Sequence, residues 1–109
     1  MKIILLDPGL KHSQGHNYAT DLHIAKYFKK NNFNVEVLCL KTIDRETEEK
    51  FLKNKIKLKK IFDISPYSDV PYKNDDTFIK SVQITVNNIE LYLKNNSFPD
   101  IAIWAPCNF

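Results

Sequence analysis

Arginine is almost missing from this chain: Arg45 is the only one among 16 Lys and Arg residues. Proteins that read nucleic acid concentrate arginine for bidentate contacts to phosphate and guanine. A net charge of +3 carried by lysines therefore points to a solvated surface and away from a nucleic-acid partner. Cysteine is scarce as well, and Cys39 and Cys107 are too few for a secreted disulfide scaffold, so a reducing cytoplasm is the expected compartment. Glycine appears only at Gly9 and Gly15, and neither GxGxxG nor GxxxxGK[ST] occurs. The phosphate-cradling fingerprints are thus missing and no cofactor is expected. Long apolar runs are also lacking. Ile3 to Leu6 is cut by Asp7-Pro8, whereas a signal peptide needs roughly 7–15 apolar residues and a membrane helix about 20. Peripheral membrane contact through surface lysines stays open, although no clearly basic amphipathic helix supports it.

What is present suits one domain spanning residues 1–109. The chain is 43% apolar and 12% aromatic, enough for a core without disulfides or a structural metal. Lys2 to Asp7, closed by Pro8-Gly9, reads as a strand buried on both faces of a parallel sheet. From Gly15 to Asn32 the period becomes helical, with Tyr18, Leu22, Ala25 and Phe28 on one stripe that Ala19 and Ile24 widen. Lys29 and Lys30 suit its last turn, and Asn31-Asn32 supply a stop. Val35 to Leu40 is the second strand. Thr42 to Lys53 reads as a polar helix opened by Thr42 or Asp44, with acids early and lysines late. Lys55 to Phe62 alternates lysine with Ile56, Leu58 and Phe62 until the pattern slips at Ile61, as an outer strand with one wet face would. Pro66 and Pro71 mark a loop.

Two templates fit Phe78 to Leu93. Phe78, Val82, Val86, Ile89 and Leu93 follow a helix, while Asn87-Asn88 could turn a hairpin. The helix is preferred because a parallel fourth strand, Ile101 to Ala105, requires a long crossover before it. The expected fold class is α/β: a Rossmann-like parallel sheet of order 3-2-1-4, with helices on both faces and incomplete after strand four. Without a further helix to return across the sheet, Ile103 and Trp104 are expected to be partly exposed.

In such a sheet ligands approach the carboxyl ends of the strands where the strand order reverses, here between strands one and four. The candidate ligand-binding residues are therefore Gly15, His16 and Asn17 from the first loop and helix, with Pro106, Cys107 and Asn108 beyond the fourth strand. Gly15 would let a ligand oxygen approach backbone amides at a helix N-terminus, or it simply makes a turn. His16 could hydrogen-bond a hydroxyl or accept its proton, or it caps the loop. No catalytic residue can be assigned. No metal site is expected: His12 and His16 are separated by Ser13-Gln14-Gly15 in a loop, and His23 lies about 10 Å further along the helix. Cys39 is read as a small core hydrophobe, about 9–10 Å at best from Cys107 in this strand order and so beyond disulfide reach.

With these elements placed, ILLDPGLKHSQGHNYATDLHIAKYFKKNNFNVEVLCL (Ile3 to Leu40) resembles the N-terminal domain of GT-B glycosyltransferases. Those enzymes open with a strand, a loop carrying glycine and often histidine, an amphipathic helix, and a strand that begins after a "GHEV" phrase, where Asn32-Phe33-Asn34-Val35 stands. Phe98-Pro99-Asp100-Ile101 is similar to the "PD plus apolar" start of their fourth strand. The resemblance implies an acceptor-side domain, a fragment whose missing second domain binds the nucleotide-sugar donor, with a sugar or lipid-linked acceptor as the other partner. It maps Gly15 and His16 to the loop facing the interdomain cleft. The alternative is a noncatalytic Rossmann-like binding or regulatory module.

Overall fold

The computed structural model describes residues 1–10, 16–64 and 75–104. Four strands and three helices alternate: β1 (Lys2–Leu6), α1 (His16–Lys30), β2 (Asn34–Leu40), α2 (Arg45–Lys53), β3 (Lys57–Phe62), α3 (Asp75–Asn95) and β4 (Ile101–Trp104). All strand pairs are parallel and the order is β3-β2-β1-β4. This is the α/β, Rossmann-like arrangement expected from the alternation of buried apolar runs with helical stripes. The stretch with two templates is one continuous helix, α3, because β4 lies parallel to β1 and the chain must cross the sheet to reach it.

Strand alternation divides the core into two layers. Leu5, Val35, Val37 and Cys39 face α1 and α2, meeting Ala25 and Phe51, while Ile4, Leu6, Leu38 and Leu40 face α3 and meet Tyr92. Tyr18 of α1 and Phe51 of α2 touch edge to face with centroids 5.8 Å apart, which locks the two helices together over the same side of the sheet. On the opposite side the phenol of Tyr92 donates to Glu36 Oε1 at 2.9 Å. That contact satisfies a carboxylate buried in the middle of β2. Desolvation and the neighbouring Glu36 raise the Tyr92 pKa beyond its ordinary value, so it stays a donor.

Asp63, just past β3, ties α3 down one turn before Tyr92. Its N–H donates to Asn88 Oδ1, Asn88 Nδ2 donates back to its carboxylate, and Lys41 pairs with it at 2.6 Å. Hydrogen bonds from Lys41 and Asn88 hold the Asp63 pKa below its ordinary value. Its contribution to stability is therefore present above the ordinary carboxylate value and lost as the pH falls below that value through the lowered folded pKa. The slip in the lysine alternation of β3 has a physical form: Cys39 pairs with Lys60 but Leu40 with Phe62, so Ile61 is an extra residue in a bulge. Ile61 and Phe62 consequently both pack toward α3.

Both α1 and α2 end on a residue with positive φ that is not glycine, Asn32 at 68° and Lys55 at 60°. At the end of α2, Ile56 N–H reaches Phe51 O at 3.0 Å and Lys55 N–H reaches Leu52 O at 2.9 Å. This is the bonding of a Schellman cap, which shows that Lys55 and Ile56 close the helix rather than open β3. A left-handed backbone costs an ordinary L-residue about 1–2 kcal/mol, and glycine's larger unfolded entropy offsets part of any relief. Lys55→Gly is expected to raise stability by about 0.5–1 kcal/mol, read as a higher urea midpoint at unchanged slope. A lower midpoint would show that the lysine side chain contributes more than the strain costs.

Candidate functional site

The register places the carboxyl ends of β1 and β4 side by side, Leu6 opposite Trp104. Here the sheet order reverses: β1 leads through its loop to α1 on one face, while β4 is reached from α3 on the other. Of the six residues expected at this switch point, His16 and Asn17 form the first turn of α1. Their side chains, together with Gly15, Pro106, Cys107 and Asn108, lie outside the described residues. The described part of the site is Asp7, the Pro8-Gly9-Leu10 turn, the body of α1 and the end of β4.

Asp7 organises this end of the sheet. Its own N–H continues the ladder to Leu38 O at 2.9 Å, its Oδ1 accepts the Gly9 N–H at 2.9 Å, and its carbonyl accepts the Leu10 N–H at 3.2 Å. The chain thus turns out of β1 around one carboxylate, and Leu10 returns fully buried into the core beneath α1. Facing Asp7 from α1 is Asp21. Each is 1% exposed, and the two are joined by a side-chain hydrogen bond. Two carboxyl groups hydrogen-bond only if one carries a proton. Burial, then the hydrogen bond to Asp7 and its charge, push the Asp21 pKa far above the carboxylate range. Asp21 is the proton carrier, while its Oδ2 has no hydrogen-bond partner.

Neither aspartate was among the candidate ligand residues, although the sequence held a signal. Asp21 lies three residues after Tyr18 and four before Ala25, within the apolar stripe of α1. The structure buries Asp21 and leaves Ala19 exposed, so the stripe turns toward the carboxylate rather than toward Ala19. A carboxyl group in a buried stripe has to find a hydrogen-bond partner on the facing strand, and Asp7 is it. Cys39 is fully buried on β2, with its pKa pushed up to about 12, mainly by desolvation. That thiol is an inert core group, as a strand-two cysteine should be.

Concave surface among the described residues also occurs away from the strand ends. A shallow groove of about 660 Å³ runs along α1 between Tyr18, Leu22, His23, Lys26 and Tyr27. A smaller one of about 180 Å³ lies between α3 and the outer side of β3, lined by Lys59, Lys60, Asn88, Leu91 and Tyr92. No cluster of three or more His, Cys, Asp or Glu side chains suited to a metal ion occurs among the described residues. No described helix is long and apolar enough to cross a membrane. Compared with known protein families, curated protein sequences and solved structures, the chain matches none.

The acid pair makes stability fall with rising pH. The unfolded chain releases the Asp21 proton near pH 4, whereas the folded chain retains it to much higher pH. Between those limits the native state binds more protons, so this group's contribution is full below about pH 4 and declines above it. Asp21→Asn keeps a donor toward Asp7 and removes the titration. At pH 8 the variant is expected to exceed the parent chain by about 2 kcal/mol or more, since each pKa unit is worth about 1.36 kcal/mol, and to lose the downward slope. Urea melts at pH 5 and pH 8 that shift in parallel for both proteins would mean that Asp21 is ionised in the fold.

Proposed function

We propose that this chain is the acceptor-side, N-terminal domain of a GT-B type glycosyltransferase. Its ligand would be held at the strand ends between the β1–α1 loop and the end of β4. The observation that carries this reading is the 3-2-1-4 parallel order with Leu6 beside Trp104. That order puts a switch-point crevice at the carboxyl ends of β1 and β4, where the chain leaves β1 through the turn at Gly9. A second observation supports the resemblance. Asn32, with φ 68°, takes a left-handed position where the "GHEV" phrase has glycine, which gives that glycine a backbone reason.

The division of labour follows from reach. Transfer requires donor and acceptor to be held together, and that proximity is worth roughly 7–11 kcal/mol of barrier. One half-cleft holds one of them, so the nucleotide sugar would be bound by a second Rossmann-like domain. A binding module without catalysis is the other reading, and the burial of the acid pair favours it. At 1% exposure Asp7 and Asp21 are sealed from solvent and shape the loop instead of serving as bases.

Amide NMR titration with candidate acceptor sugars and nucleotide sugars tests the assignment. The largest shifts are expected at residues 7–10, at 16–20 and at Trp104, with His16→Ala weakening the binding and no sugar transferred by residues 1–109 alone. Shifts clustered on Lys57 to Lys60 would replace the site by simple charge attraction. Binding at the strand ends with persistent inactivity after a donor-binding domain is joined would favour the noncatalytic module.

A further inference from the structure

Parallel strands share one direction, so each crossover helix carries the chain back to the pole where the strands start. Contacts knit that amino-end pole together. Asn34 N–H reaches Met1 O at 3.0 Å, Asp100 N–H reaches Lys2 O at 2.9 Å, and Lys29 Nζ donates to the Lys55 carbonyl. Lysine collects there from separate stretches of the sequence. α1 ends on Lys29 and Lys30, α2 ends on Lys53 with Lys55 just beyond it, β3 opens on Lys57, and Lys94 lies in the last turn of α3. All six are exposed. Ion pairs among the described residues use Lys41, Arg45, Lys50 and Lys60, and none of these six.

Few carboxylates answer them. Glu36 is buried and taken by Tyr92, Asp100 accepts the Lys2 N–H at 2.8 Å, and Glu90 lies one turn before Lys94. The carboxyl-end pole is the reverse: Asp44, Glu46 and Glu48 stand at the start of α2 and Asp76 in the first turn of α3. A net charge of only +3 thus hides a molecule with one basic pole and one acidic pole. Cations in the last turn of a helix complement its dipole, which accounts for Lys30, Lys53 and Lys94. It does not account for Lys55 and Lys57, which lie outside the helices. Nor does it account for the apolar side chains that protrude among the lysines: Phe98 is 76%, Met1 68%, Tyr27 61% and Leu52 56% exposed.

We infer that the amino-end pole of the sheet docks on an anionic phospholipid surface. Lysines around single protruding apolar groups match a lipid interface, where the cations meet headgroup phosphates and the apolar groups enter the acyl boundary. Mobile headgroups adapt to lysines wherever the fold puts them, whereas a folded acidic partner would have to match each position. A nucleic-acid face would concentrate arginine, and the one arginine, Arg45, stands at the opposite pole in a pair with Glu49. No described helix can cross a membrane, so the contact made by these elements is at the surface. The acidic pole is repelled by the same lipids, which turns the carboxyl ends of the strands toward water. The inference is independent of the sugar reading.

Co-sedimentation of the full chain with vesicles tests this, using phosphatidylcholine alone and phosphatidylcholine mixed with phosphatidylglycerol. Binding is expected to the mixed vesicles only, and it should weaken as salt screens the lysines. Each lysine removed should weaken binding about fivefold, so Lys30→Gln with Lys57→Gln should weaken it about 25-fold. Phe98→Ser should lower the part of the binding that survives high salt. Arg45→Gln, at the far pole, should leave binding as it is. All these side chains are exposed, so thermal melts by circular dichroism should match the parent chain. Equal binding to neutral vesicles, no binding to anionic vesicles at low salt, or a loss with Arg45→Gln as large as with Lys30→Gln would each overturn the proposal. So would a single-stranded oligonucleotide that displaces the chain from the vesicles at equal phosphate concentration, since the pole would then be a nucleic-acid face.

Discussion

β1 lies between two strands and between two helix layers, and Ile3, Ile4, Leu5 and Leu6 are all at most 8% exposed. A strand buried on both faces must be apolar at successive positions, not alternate ones. Its neighbours must then lie parallel to it, joined by crossovers that cover those faces. The placement of α1 and α2 on one side and α3 on the other follows from this demand, as does the reversal of strand order beside β1. The place where a ligand could approach is thus set by the burial of four aliphatic side chains, before any polar residue is considered.

Where β1 runs out of aliphatic residues, the next one is Asp7, still sealed in the core. The local chemistry meets that cost with a proton and with backbone donors. Asp21 brings the proton from α1, and Gly9 brings its N–H from the turn. The arrangement joins the first helix to the first strand through a contact that is directional, unlike the packing of Leu5 on Ala25. A hydrophobic pair here could slide, whereas a shared proton cannot. The start of α1, which carries His16, is thereby fixed relative to the strand ends.

The pattern of apolar residues made most of the fold legible. The continuous run Ile3 to Leu6, the helical stripe of α1 and the lysine alternation of β3 each pointed to the observed element, and the slip at Ile61 marked a real bulge. Phe78 to Leu93 was ambiguous on local pattern, and only the connectivity of a parallel sheet decided it. Lys55-Ile56 misled because a lysine–isoleucine step looks the same in a wet strand and in a helix cap. Of the candidate site, position in the topology was legible but its buried chemistry was not. Asp7 stood out only as the end of a strand, and nothing local says that a residue 14 positions later will face it. Asp21 left a local trace, its place within the apolar stripe of α1 between Tyr18 and Ala25, but that trace did not say which strand residue it meets.

One register has a consequence in time. Leu5 pairs with Ile103, 98 residues further along the sequence, so β1 gains its second neighbour only after β2, β3 and the three described helices have been made. Until residues 101–104 emerge, the nascent chain holds β1 with one backbone edge unpaired, and closure of a loop of nearly 100 residues precedes the final ladder. Contacts of such sequence separation slow folding and prolong exposure of an apolar strand edge. The order β3-β2-β1-β4 therefore makes synthesis itself the period in which this chain most needs protection from its neighbours.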